Sequence, residues 1–579
     1  MDQVSEKNKM IEYKIKQLFK ILNCYDLDGY AVPKNDEFFS EYSIPNRLMN
    51  ISGFSGSAGL SVLTKRKKYL FVDGRYTTQA KIETKGYFKI FELPKTFPED
   101  IFKKEKIKLK IGYDPSLFTS NMIKRYFGNS CNLVAVKKNL IDEITLKKNS
   151  IKKIGFYSLS SKITGENVNS KIKRLTSVLK EKKIDNLFIS APENVAWLLN
   201  IRGQDNPNSP IPNCRAVITK SKKVIIFSNQ NKIKKIKNKA IYKKFTFREF
   251  NDFFSVISNL NGKSFSIDPV SCSIYYQSII SSMFKKIYFE DPCYKLKSIK
   301  NKLEINGMSK AHIEDGAALT KFLYWIKNSK IKKIDEMKVI KKLEKFRKNN
   351  KNYLYPSFDT IAGTGPNGAI IHYRVSKKTN RVIKKNDLLL CDSGGQYKFG
   401  TTDVTRTICF NKPLNKIKDI FTRVLKGHIA VVTTNLNKIK TGDKIDIRAR
   451  YWLKKVNLDY SHGTGHGVGF FLNVHEGPQA ISKFNNHILK EGMILSNEPG
   501  YYLENKFGIR IENLIYVNKK NKKLYFENLT YAPIDKDLIN FKLLSEKEKK
   551  YLSNYHQETY SKLSKLLNNK EANWVKSLI

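Results

Sequence analysis

The chain has 579 residues, with 106 Lys and Arg against 53 Asp and Glu, a formal charge of +53 and a hydrophobic fraction of 41 %. That length predicts about three or four domains rather than one core, and the hydrophobic fraction excludes a chain too polar to fold. The lysines are spread from Lys65 to Lys351 and beyond instead of clustering, which reads as a solvated coat with no specific nucleic-acid patch.

The N-terminal stretch to Asp26 carries charges at helical spacing where a signal peptide would carry an apolar core. No apolar run approaches the roughly 18 residues that span a bilayer, so no membrane segment is expected. Seven cysteines, an odd number and scattered singly, fit reduced thiols in a cytoplasm. Leu48-Met49-Asn50-Ile51-Ser52-Gly53 matches Leu198-Leu199-Asn200-Ile201-Arg202-Gly203, and the run Lys68-Tyr69-Leu70-Phe71-Val72 matches Lys223-Val224-Ile225-Ile226-Phe227. Helical stretches alternate with short β-branched runs in both copies. Two related α/β domains, 1–150 and 151–296, are predicted.

A third domain, 297–579, opens with an amphipathic helix over Leu303–Lys327, in which His312 falls on the apolar line and reads as a core histidine. Ser545 and Glu548 form a capping box for a terminal helix, whose expected buried residues are Leu552, Tyr555, Leu563, Leu566 and Trp574. Its aromatic residues, Tyr551, Tyr555, Tyr560 and Trp574, suggest a surface covered by a second subunit.

Within this domain a second repeat holds the acids. The segment from Ile383 to Gly394 aligns without a gap on that from Leu489 to Gly500, which sets Asp392 opposite Glu498. Each acid ends an apolar strand before a glycine turn, and each turn leads to a returning strand with its own acid, Asp403 or Glu512. One acid at a strand end is ordinary. Four at repeated positions would repel and be costly to bury unless cations compensated them, and two dications balance four carboxylates. The loop SHGTGHGVG offers an imidazole as a fifth ligand. Oxygen-rich ligation with one imidazole suits manganese, with cobalt, zinc or iron as substitutes. Four of the eight histidines, His372, His462, His466 and His475, lie in glycine-rich or turn-like segments of this domain, whereas His428 and His487 read as surface residues.

The strings IPNRLMNISGFSGSAG, NVAWLLNIRGQD, CDSGGQYKFGTTDVTRT, SHGTGHGVGFFLNVHEGP, SNEPGYY and GIRIEN, in this order, resemble the three-domain cytosolic Xaa-Pro aminopeptidases (aminopeptidase P) of the pita-bread metallopeptidase superfamily. The resemblance implies two related N-terminal α/β domains before a pita-bread catalytic domain with a pseudo-twofold repeat, and a homodimer held mostly by that domain. It implies Asp392, Asp403, His466, Glu498 and Glu512 as ligands of two divalent metal ions, with Asp403 and Glu512 bridging. His372, His462 and His475 fall on the family's other active-site histidines. Two departures, Asn497 before Glu498 and Gly395 after Gly394, touch no ligand position.

The implied reaction is hydrolysis of the N-terminal Xaa-Pro bond by a hydroxide held between the two ions. His475 and His372 would orient the scissile carbonyl and stabilise its developing charge, and Glu498 would carry the proton to the leaving nitrogen. The alternatives are a prolidase restricted to Xaa-Pro dipeptides, a methionine aminopeptidase, which lacks the two preceding domains, and a non-enzymatic chromatin- or polyanion-binding relative. The peptide substrates have proline second.

Overall fold

The computed structural model describes residues 2–42, 44–105, 108–145, 154–330 and 333–579. The chain forms two compact units, Met1–Leu159 with Glu166–Pro207 and Ile211–Cys293, and Ser160–Gly165 with Asn208–Pro210 and Tyr294–Ile579. The boundary expected at 150 lies outside the described residues.

The first unit holds two six-stranded sheets behind helix α1 (Asp2–Cys24). One contains β1 (Gly29–Pro33), β2 (Leu60–Thr64), β3 (Lys68–Asp73), β4 (Lys89–Leu93), β5 (Lys110–Tyr113) and β6 (Asn132–Ala135) in the order 4-3-2-1-5-6. The other contains β7 (Asn186–Ile189), β8 (Cys214–Thr219), β9 (Val224–Ser228), β10 (Thr246–Arg248), β11 (Ser264–Ile267) and β12 (Lys285–Tyr288) in the corresponding order 10-9-8-7-11-12. The senses repeat as well: the two hairpin pairings are antiparallel and the other three are parallel in each sheet. The duplication visible in the sequence is therefore a duplicated topology. Arg215 of β8 joins the copies, its guanidinium 4.2 Å from the ring centre of Phe38 and 4.5 Å from that of Tyr276.

The second unit is built from two halves. In the first, α2 (Lys302–Lys327) and α3 (Glu336–Lys348) pack Leu319, Phe322, Leu323 and Val339 on a sheet of β13 (Ile361–Thr364), β14 (Leu388–Ser393) and β15 (Val404–Cys409). The Asn301 side chain and Glu304 cap α2 reciprocally, and His312 is buried as expected. In the second, α4 (Asn415–Val432) and α5 (Gly442–Lys454) cover a five-stranded sheet of β16 (Gly465–Gly467), β17 (Glu476–Ile481), β18 (Ile494–Asn497) and two strands beyond β19 (Gly500–Leu503) and β20 (Phe507–Arg510). Those two are β21 (Asn513–Lys520) and β22 (Lys523–Asn528). Phe322 and Leu389 are fully buried, and truncating either to Ala costs about 2–5 kcal/mol.

The terminal segment departs from expectation. It is two helices, α6 (Glu546–Leu563) and α7 (Asn569–Lys576), because the Asn568 side chain accepts from the Glu571 N–H and starts a new helix. Leu566, expected in the core, falls on the intervening turn and is exposed. Leu552 and Tyr555 are buried within the unit and Trp574 packs edge-on against Tyr324, so these aromatic residues fold back on their own domain. Tyr551 and Tyr560, the other two aromatic residues expected at a subunit face, are half-buried.

Candidate metal centre

The two halves present their acids at equivalent places. Asp392 is the last but one residue of β14, and Asp403 immediately precedes β15. Glu498 immediately follows β18, and Glu512 immediately precedes β21. A short hairpin separates each pair: Gly395–Tyr397 with Gly400–Thr401 in the first half, and β19 with β20 in the second. Gly395 belongs to the first of these, and a Cβ there would meet the rings of Tyr353 and Tyr397 at 2.8 and 2.9 Å, which explains glycine in place of alanine.

Ligand atoms of Asp403, His466 and Glu512 all lie within 4.8 Å of one another. The His466 Nε2 is 3.5 Å from Asp403 Oδ2 and 3.4 Å from Glu498 Oε1. Its Nδ1 lies 2.9 Å from the Gly467 carbonyl, which only accepts, so Nδ1 carries a proton and Nε2 is the nitrogen turned to the carboxylates. The Ser496 hydroxyl accepts from the His466 N–H at 2.9 Å and donates to Glu498 Oε1 at 3.0 Å. Asp392 completes the acids, with Oδ2 accepting from Arg510 Nη2 at 2.5 Å. Its Oδ1 is buried and has no hydrogen-bond partner.

Arg510 ties several of these groups together. It also donates to the Thr405 hydroxyl at 3.2 Å, and that hydroxyl donates to Glu512 Oε2 at 2.7 Å. A third branch runs from Arg510 Nη1 to the Tyr502 oxygen at 2.6 Å, and Tyr502 donates to His462 Nε2 at 2.9 Å. His462 completes the relay by donating from Nδ1 to the Gly463 carbonyl at 2.7 Å. His475 is exposed, with its ring centre 4.2 Å from that of His466. His372 is half-buried beside Ile371, whose carbonyl accepts from Arg510.

Four carboxylates against one arginine leave the site short of positive charge. Burial, and then the neighbouring carboxylates, push Glu512 well above the usual carboxylate range. Burial raises Asp392 and Glu498 too, although Arg510 opposes it at the first and His466 at the second. At His466 burial disfavours the charged ring, but Asp403 and Glu498 outweigh it and push the pKa up to about 9. An orphaned carboxylate oxygen, an imidazole nitrogen set among three acids and this deficit of charge all fit divalent cations.

One other group of ligand type exists among the described residues, Cys409 with Asp535 and Asp537. Its centre already holds the Lys327 ammonium, 2.9 Å from Asp535 and 2.8 Å from Asp537.

His428 is not a surface residue. It is fully buried on α4, with Nδ1 3.1 Å from the Asn497 carbonyl, while the Asn497 amide donates to the His428 carbonyl at 2.9 Å. The departure at Asn497 is thus one half of a reciprocal pair behind Glu498. A repeat in the sequence carries the signal: Lys310-Ala311-His312-Ile313 on α2 matches Lys426-Gly427-His428-Ile429 on α4.

Residues 306–519 match the model of metallopeptidase family M24, and residues 522–578 match that of its C-terminal region. Residues 14–144 and 147–304 each match a creatinase/prolidase N-terminal domain. The chain is 38 % identical to a probable Xaa-Pro aminopeptidase P of Laccaria bicolor, over 96 % of this chain and 90 % of that protein. The chain belongs to metallopeptidase family M24. This M24 chain is also 36 % identical to Xaa-Pro aminopeptidase 1 of Dictyostelium discoideum, covering 98 % of itself and 96 % of the relative. Its fold matches X-prolyl aminopeptidase from Caenorhabditis elegans, described as a cytosolic enzyme with a di-nuclear active site, with a TM-score of 0.92 at 29 % identity over 98 % of this chain and 99 % of that one. Prolidase from Pyrococcus furiosus is covered over 100 % of its length but matches only 62 % of this chain, with a TM-score of 0.51 at 26 % identity.

Proposed function

We propose that this M24 metallopeptidase removes the first residue from peptides whose second residue is proline. The observation that carries the reading is the likeness over the whole chain to Xaa-Pro aminopeptidases, where the prolidase matches 62 % of it. The reading includes three domains, 1–150, 151–296 and 297–579, and a cytosolic location.

Asp392, Asp403, His466, Glu498 and Glu512 would hold two divalent ions, most simply manganese, with Asp403 and Glu512 shared between them. When bound, such ions supply Lewis acidity and make water a nucleophile near neutral pH. The remaining work belongs to the side chains. His475 and His372 orient the scissile carbonyl and donate to its oxygen as charge develops. Glu498 receives the proton of the attacking water on a carboxylate oxygen and delivers it to the proline nitrogen. His462, fixed through Tyr502 and Arg510, holds the peptide backbone.

A homodimer is part of this reading. What supports it is an exposed apolar group, Ile447 and Tyr451 on α5 with Phe484 and Ile488 in a neighbouring loop. That loop is joined to α5 by the Asp443 N–H donating to the Asn485 carbonyl at 2.9 Å.

The test compares hydrolysis of Xaa-Pro-Xaa tripeptides with Xaa-Pro dipeptides and Xaa-Ala controls, with and without manganese. Manganese-dependent cleavage of the tripeptides is expected. Cleavage of dipeptides alone would make the protein a prolidase, and no bound metal after manganese loading would favour the polyanion-binding relative.

A further inference from the structure

Beside His475 lie three buried charges that none of the proposed chemistry uses. Glu476 begins β17, and because successive strand residues face opposite ways, its carboxylate points inward while the exposed His475 ring meets that of His466. The carboxylate accepts from Lys300 Nζ through Oε1, and Lys297 Nζ lies 3.5 Å from Oε2. All three side chains are at most 2 % exposed.

Lys300 is itself fixed. Lys300 donates from its backbone N–H to the Gly492 carbonyl at 3.0 Å and from Nζ to the Ser298 carbonyl at 3.3 Å. Ile299 forms a bridge with Met493, one residue before the strand that leads to Glu498. On its other side Glu476 pairs with Gly467, the neighbour of His466, so closely that a Cβ on Gly467 would meet the Glu476 carbonyl at 2.3 Å. One residue therefore links the backbone carrying His466, His475 and Glu498, through its strand pairing on one side and its carboxylate on the other.

A buried ammonium–carboxylate cluster is a poor source of stability, since apolar residues of similar volume commonly do as well or better. What it supplies is direction, because a carboxylate gripped from two sides tolerates little displacement. We propose that Glu476, clamped between Lys300 and Lys297, is a positioning residue that fixes the ring of His475 for the reaction. The inference rests on the role given to His475 above.

Glu476→Asp tests it, because it keeps the charge that neutralises the lysines and so preserves folding, whereas Glu476→Gln leaves two buried ammonium groups facing each other. With Xaa-Pro-Xaa substrate, Glu476→Asp is expected to lower kcat by up to about 100-fold through misplacement of the ring. KM, two metal ions per chain and the melting temperature should stay close to the parent's. Lys300→Met should give the same pattern if it folds. Positioning through His475 further requires that the Glu476→Asp/His475→Ala double variant be no slower than His475→Ala alone. An unchanged kcat, loss of metal, or defects that multiply in the double variant would overturn the inference. If His475→Ala itself keeps full kcat, the role of His475 falls and the inference with it, a result visible without any Glu476 variant.

Discussion

Thr405 shows how much of the centre depends on a single hydroxyl. It accepts from Arg510 and donates to Glu512, so it orients one carboxylate directly and, through the guanidinium, a second on Asp392. Thr405→Val, nearly the same shape without the hydroxyl, should weaken metal affinity by about 10–100-fold while the metal-free protein melts where the metal-free parent does. Isothermal titration with manganese reads the first and circular dichroism the second. Asp403→Asn or Glu512→Gln should abolish turnover, and retained turnover with two ions bound would reject their shared role. His466→Ala should lose one ion and recover part of its rate in excess manganese. The acids themselves are legible in the sequence because each precedes or follows a glycine turn in a repeated frame. Thr405 and Arg510 are not, because their roles exist only through Glu512 and Asp392, about a hundred positions distant in the chain, and Ser496 and Tyr502 are not, because nothing in their spacing shows that their hydroxyls meet His466 and His462.

At the scale of elements, buried histidines join helices to neighbouring segments of the chain. His556 on α6 accepts at Nε2 from the Ile534 N–H at 3.2 Å and donates at Nδ1 to the Leu578 carbonyl at 3.1 Å, which requires a neutral ring. Burial, aided by Lys536 and Arg406, lowers its pKa to about 4, and burial with Arg406 lowers that of His428 to about 3. In the unfolded chain both rings take a proton near pH 6.5, so below about that pH the unfolded state binds protons that the folded state refuses. Stability from this source is complete above about pH 6.5 and declines as pH falls toward about 4. Melting temperatures should follow that window, and His556→Gln should flatten the decline. The helix–strand layout of this domain was readable from periodicity. The break at Asn568 was not, since Leu563, Leu566 and Trp574 keep an apparently helical spacing through a turn. His428 reads as a surface residue because Lys418 and Lys426 stand near it in sequence, whereas the residues that share its helical face are Val424, Leu425 and Val432.

At the scale of the whole molecule, the charge of +53 and the exposed apolar group lead to different measurements. If the lysines are a solvated coat, binding to DNA or RNA should be weak, without sequence preference, and lost steeply as salt rises. Tight binding at physiological salt would reverse that. Tyr451→Glu, which places a charge in the apolar group on α5, should turn a dimer into a monomer in sedimentation, with both metal ions retained.

The division of the acids between two halves also bears on how the protein is made. Asp392 and Asp403 leave the ribosome well before His466, Glu498 and Glu512, and a nascent chain carrying only the first pair has neither the imidazole nor the opposing carboxylates that a captured ion would need. If these five residues hold the ions as proposed, loading would be a late event, open only after Glu512 has emerged. Until then Arg510 is missing too, and Asp392 has to stay hydrated at the end of an apolar strand that the finished protein buries. Cells starved of metal should for that reason accumulate chains whose two N-terminal sheets resist protease while the segment from β13 to β21 is cut.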